Sequence, residues 1–244
     1  MAGNWKMFKT IGETEKFLDE FIPLVANVTH SDIVIAPPFT ALAAAARKAA
    51  GSMVAIGAQN LHFEKQGAFT GEIAASMLAD AGCRYVIIGH SERRHIFGET
   101  DEGVLKKTRA ALGAGLIPIV CVGELLAERE AARTEAVLES QFKGSAGGLT
   151  PEEFAGIIIA YEPVWAIGTG KVATPEIAAD AHRFIRSQAA GQFGKDAGQK
   201  LRILYGGSVK PDNTRGLMAQ PEIDGTLVGG ASLDARSFAA IVNF

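Results

Sequence analysis

The sequence predicts a closed eight-stranded parallel (β/α)8 barrel, an α/β fold, and three observations carry that reading. Short apolar, β-branched runs recur along the chain with helix-like segments between them, the signature of βα units. The runs number eight. At 244 residues the chain has the usual length of such a barrel built as one domain, and residues 1–244 are expected to form a single unit. Periodicity alone does not separate a closed barrel from an open doubly wound sheet. The placement of polar residues favours the barrel, because they fall at the C-terminal ends of several different strands.

In chain order the expected strands are Gly3–Met7, Asp32–Ala36, Val54–Gln59, Tyr85–Gly89, Ile117–Val122, Ile157–Tyr161, Arg202–Tyr205 and Thr226–Val228. Several are apolar almost throughout, as in Ile157-Ile158-Ile159-Ala160, which fits strands covered on both faces. Helices are expected over Glu13–Ala26, Ala41–Ala50, Asp101–Ala114, Glu128–Lys143 and Pro175–Ala190, with a last one around Ser237. Thr174-Pro175-Glu176 reads as an N-cap followed by proline at the first helical position. The long polar excursion after the third strand, Asn60–Glu72, has the size of a functional or interfacial loop.

Composition narrows the function. With 48% hydrophobic and 21% charged residues the chain can bury a large core. The formal net charge of -3, without a basic stripe or polybasic segment, argues against nucleic acid and membrane surfaces as partners. Cys83 and Cys121 form no metal or redox motif, so a reduced, cytoplasmic setting is expected. The N-terminal residues Met1-Ala2-Gly3-Asn4-Trp5-Lys6 lack an apolar signal core, and no run approaches the roughly 18 apolar residues of a membrane span.

Residues able to do chemistry gather at the strand ends: Asn4 and Lys6 on the first, Gln59 and Asn60 after the third, His90 and Glu92 after the fourth, Glu162 after the sixth. Gly206-Gly207-Ser208 and Gly229-Gly230 follow the seventh and eighth, the two loops that commonly build a phosphate site. Taken singly, a histidine after a strand is more often a structural hydrogen-bonder, an isolated glutamate or lysine is usually just solvated, and each glycine pair reads equally well as a tight turn. Their joint placement is what points to a site.

The local sequences Gly3-Asn4-Trp5-Lys6-Met7, Gly89-His90-Ser91-Glu92-Arg93-Arg94, Cys121-Val122-Gly123-Glu124, Ala160 to Gly170 and Tyr205-Gly206-Gly207-Ser208-Val209 together resemble the triosephosphate isomerase family, whose fold is the TIM barrel. The resemblance runs from residue 3 nearly to the C-terminus. It implies cofactor-free interconversion of dihydroxyacetone phosphate and D-glyceraldehyde 3-phosphate through an enediolate, in glycolysis and gluconeogenesis. It also implies Glu162 as the base, His90 as the electrophile and proton shuttle, Lys6 and Asn4 as stabilisers of the substrate oxygens, and Glu92 as a further carboxylate beside them. Pro163, Val164, Trp165, Ala166, Ile167, Gly168, Thr169, Gly170 and Lys171 match a lid, with Trp165 read as lid rather than core. Gly168, Ser208, Gly229 and Gly230 match donors of backbone amides to the phosphate. No metal or organic cofactor is implied, since the carbonyl already acidifies the proton to be moved.

The loop Gln59–Glu72, containing Thr70-Gly71-Glu72, resembles one that inserts into a neighbouring subunit, which implies a homodimer. Only Met1 and Ala2 precede the Gly-Asn-Trp-Lys motif, so a short first strand is expected and barrel closure is the point to check. Phe8 and Leu125 stand where polar residues are common in the family. Two other readings remain open at this level: a different phosphosugar barrel such as a lyase, and a barrel that binds without turnover.

Overall fold

A computed structural model describes residues 1–167 and 171–244. Its strands are β1 (Ala2–Asn4), β2 (Ile33–Ala36), β3 (Val54–Ala58), β4 (Tyr85–Ile88), β5 (Ile117–Val122), β6 (Ile158–Tyr161), β7 (Arg202–Tyr205) and β8 (Gly225–Val228). They are parallel and close into a barrel in sequence order, with β1 bonded to β2 and also to β8. The short first strand therefore suffices: Ala2 pairs with Val34 on one side and Leu227 on the other.

Strand alternation divides the apolar residues between two layers. Ala2, Val34, Tyr85, Ile87, Ile119, Cys121, Ile158, Ala160, Leu204 and Leu227 fill the barrel interior. Their neighbours Ile35, Ile56, Val86, Ile88, Val120, Ile159 and Ile203 point outward onto the helices. Those helices are α1 (Ile11–Val25), α2 (Leu42–Ala49), α3 (Ala75–Asp80), α4 (Ser91–His95), α5 (Asp101–Gly113), α6 (Leu126–Glu130), α7 (Thr134–Ser145), α8 (Pro151–Phe154), α9 (Pro175–Phe193), α10 (Lys195–Lys200), α11 (Pro211–Met218) and α12 (Ala235–Val242).

Several expected boundaries need correction. The strand expected over Gly3–Met7 stops at Asn4, because Lys6 turns into the left-handed region at φ 51° and the chain leaves the sheet. β3 and β4 end one residue early, which releases Gln59 and Gly89 to the mouth. The helix expected over Glu128–Lys143 is two helices, α6 and α7, separated at Ala132, whose φ of 55° no helix can contain. α1 begins at Ile11 rather than Glu13, since Thr10 and Glu13 close a reciprocal capping box one turn earlier. Thr174 does cap α9 with Pro175 at its first position, and that helix runs on to Phe193. The short α3, α4, α8, α10 and α11 were not anticipated.

Candidate active site

The strand ends converge on a cavity of about 610 Å³ lined by Asn4, Lys6, His90, Glu92, Glu162, Ser208, Gly229 and Gly230 among others. All of the described side chains expected to do chemistry reach it except Gln59 and Asn60. Gln59 stands just behind, its carboxamide donating to the carbonyls of Lys6 and Ala36, each at 2.8 Å. That strap, with the Lys6 amide bonded to Asn4 Oδ1 at 3.0 Å, holds Lys6 in a backbone conformation that non-glycine residues seldom adopt. The Lys6 ammonium meets Glu92 at 2.6 Å. Asn60, expected at the same strand end, instead turns away and accepts a hydrogen bond from buried Lys107 at 2.9 Å.

His90 caps the N-terminus of α4, and its Nδ1 accepts the Glu92 amide at 3.3 Å. A ring nitrogen that accepts carries no hydrogen, so the hydrogen resides on Nε2. Nε2 lies 2.9 Å from Glu162 Oε1. Behind the histidine, Arg94 ties the carbonyls of Gly89 and Cys121, the Ser145 hydroxyl and Asp101 into one buried knot. The imidazole is therefore seated on a rigid base.

Glu162 is 2% exposed. Its carboxylate accepts from the Ser91 amide at 3.0 Å and the Ser91 hydroxyl at 3.2 Å, besides facing His90. Burial, the largest single influence, acts to raise its pKa, but His90, the Ser91 amide and the Cys121 thiol together outweigh it and hold the carboxyl below its ordinary range. His90 shows the mirror image. Burial pulls its pKa down most strongly, yet the carboxylates of Glu162 and Glu92 together leave it raised. Ser91 is a site residue that the sequence gave no reason to single out beyond its place in a motif.

Backbone crowding explains two of the glycines. A Cβ on Gly123 would lie 1.7 Å from the Glu162 carbonyl oxygen, so the end of β5 passes Glu162 at a distance only glycine permits. A Cβ on Gly206 would meet Glu162 Cγ at 2.9 Å. At the far side of the mouth, among the described residues no acceptor takes the backbone N–H of Ser208, Gly229 or Gly230. All three residues line the cavity.

The first part of the expected lid, Pro163 to Ile167, is anchored at Glu124. One oxygen of this buried carboxylate accepts from Trp165 Nε1 at 2.8 Å and from the Tyr161 hydroxyl at 3.1 Å. The Arg129 guanidinium lies 4.6 Å from the Trp165 ring. Trp165, within the expected lid segment, packs half-buried against the core. The expectations for Gly168, Thr169 and Gly170 lie outside the described residues. Leu125 occupies the N-cap of α6 without a side-chain bond and lines the mouth. Among the described residues no cluster of His, Cys, Asp and Glu is arranged to hold a metal ion, and no helix is long and apolar enough to cross a membrane.

Together, the closed parallel barrel and a carboxylate–imidazole pair facing free amides at its C-terminal mouth define an enzyme of the (β/α)8-barrel class. The family model described as triosephosphate isomerase matches residues 1–244. Triosephosphate isomerase of Solibacter usitatus is 64% identical over 244 residues, covering 100% of this chain and 98% of that protein. The enzyme of Citrifermentans bemidjiense is 57% identical, covering 100% and 97%. The crystal structure of triosephosphate isomerase from Bartonella henselae superposes with a TM-score of 0.89 at 42% identity, covering 100% of this chain and 97% of the other. The chain belongs to the triosephosphate isomerase family.

Proposed function

We propose that this chain interconverts dihydroxyacetone phosphate and D-glyceraldehyde 3-phosphate through an enediolate, without a cofactor, as a glycolytic and gluconeogenic enzyme acting as one domain over residues 1–244. The observation that carries the reading is the 2.9 Å contact between His90 Nε2 and Glu162 at the cavity floor, opposite the free amides of Ser208, Gly229 and Gly230.

In this reading the phosphate docks on those amides and on that of Gly168, while Asn4 and Lys6 hold the oxygens of the triose. Glu162 leaves Ser91, abstracts a proton from the carbon next to the carbonyl, and the electron pair moves to form the enediolate. His90 Nε2–H stabilises the developing oxyanion and passes a proton between the two oxygens. Glu162 then returns its proton to the neighbouring carbon. Leaving Ser91 and His90 removes donors that depress its pKa, which makes it a stronger base when it reaches substrate. Glu92 holds Lys6 in place by its ion pair. The lid Pro163 to Lys171 excludes water from the intermediate.

A homodimer through the loop Gln59–Glu72 and a cytoplasmic location complete the proposal. Supporting the dimer, residues 64–72 are exposed throughout, and Met7 at 93%, Phe69 at 45% and Phe97 at 67% exposure stand in the connections after β1, β3 and β4. The reading is tested by a coupled assay with glyceraldehyde 3-phosphate. Turnover without added metal or cofactor is expected, and a folded sample that gives none overturns it.

A further inference from the structure

We propose that Lys210 is a recruiting cation that draws the dianionic phosphate ester into the mouth, an inference that rests on the reading of that mouth as a phosphate-ester site. The charges lining the cavity lead to it. Lys6 is paired with Glu92 at 2.6 Å, which cancels both at a distance. Glu162 leaves a negative charge at the floor, although His90 faces it. The whole chain carries a formal net charge of -3, so its long-range field opposes a dianion. Lys210 is the remaining lysine or arginine on the cavity wall, and among the described residues its ammonium has no ion pair and no hydrogen bond.

Its backbone, by contrast, is pinned. The Lys210 amide donates to Asn213 Oδ1 at 2.9 Å, the Asn213 carboxamide donates to the Ser208 carbonyl at 3.0 Å, and the Thr214 hydroxyl donates to the Lys210 carbonyl at 2.6 Å. These bonds fix the loop that presents the Ser208 amide and place an uncommitted cation two residues from it. A fixed root with a free, exposed ammonium suits capture of an anion from solution. A structural lysine would instead be tied to a carboxylate, as Lys107 is to Glu99. A charge of this kind acts on the encounter, raising the association rate in a salt-dependent way with little effect once the ligand is seated.

The test is stopped-flow tryptophan fluorescence of the full chain mixing with phosphoglycolate, a phosphate ester whose carboxylate resembles the enediolate. At low ionic strength Lys210→Gln should lower the association rate constant by roughly threefold to tenfold, Lys210→Arg should restore it, and the difference should vanish in about 0.5 M salt, where the screening length is only a few Å. Equal association rates at low ionic strength overturn the proposal, as does a loss that persists at high salt. Because this readout is association rather than turnover, a chain that fails the isomerase assay yet shows the salt-dependent loss would retire the catalytic reading and keep Lys210.

Discussion

The two ends of the barrel carry similar numbers of charged groups and use them differently. At the N-terminal end, a cavity of about 180 Å³ is bordered by Met1, Asp32, Arg202 and Asp224. Here the charges answer one another across elements. Arg202 on β7 pairs with Asp32 before β2 at 3.0 Å, the Met1 amino group donates to the Asp32 carbonyl at 2.7 Å, and Arg186 on α9 pairs with Asp224 before β8 at 2.9 Å. At the C-terminal end the pairs meet inside a cavity more than three times larger, beside backbone donors that the protein leaves unmatched. The lesson is that a closed set of partners fastens strands, whereas an open set is built for something that arrives.

The sharpest way to break this contrast is Glu162→Gln. It keeps the shape of a buried side chain but removes the charge, and kcat should fall about a thousandfold while the midpoint of thermal unfolding moves by less than about 5 °C. Steady-state kinetics beside calorimetry checks both halves. Near-normal turnover would remove Glu162 from the chemistry.

A smaller effect is expected from His182 in the helical layer, which belongs to neither end. Its Nδ1 contacts the Glu222 carbonyl at 3.1 Å, its Nε2 is buried without a partner, and burial lowers its pKa to about 3. Because the folded value lies below that of the unfolded chain, the unfolded state takes up the proton first. The stability held above about pH 6.5 therefore drains as pH falls toward 3, by about 2 kcal/mol at pH 5. Denaturant titrations at pH 7 and pH 5 should show this loss in the parent chain and a flatter dependence in His182→Gln. Parallel pH dependences would place the acid sensitivity elsewhere.

The smallest effect should come from Arg202→Ala at the quiet end. Its pair with Asp32 is well exposed, so the loss should stay within about 1 kcal/mol, with isomerase kinetics unchanged. A large drop in turnover would erase the distinction between the two ends.

Much of this was readable from the chain. Eight apolar runs mark a parallel sheet, and polar residues and glycines placed at the ends of several of them favour a closed barrel with a polar mouth, because burial on both faces and close backbone approach each leave a compositional trace. What escaped was set by tertiary contact. Nothing in Ala131-Ala132-Arg133 announces the break between α6 and α7, since alanine is a strong helix former, and the break shows only in the φ of 55° at Ala132. Ser91 looks like any helix-starting serine until Glu162, 71 residues later, folds onto it. α11 was missed because Pro211, Asp212, Asn213 and Gly216 mask its period, although Pro211 at its first position was a usable signal. Lys210 could not be distinguished from other surface lysines without knowing which carboxylates were already taken.

Gln59 has a consequence for anyone reshaping this molecule. Both hydrogens of its carboxamide are committed to carbonyls of two other strands' ends, so within the chain the backbone under Lys6 is sutured from the end of β3, ahead of the excursion that follows. The excursion itself closes on its own terms where the His62 amide meets the Ile73 carbonyl at 2.8 Å. Residues 63–72 thus lie outside the bonds that hold Lys6 within one chain, and a foreign segment grafted between His62 and Ile73 would reach the lysine through the partner subunit that the proposed dimer sets on that loop.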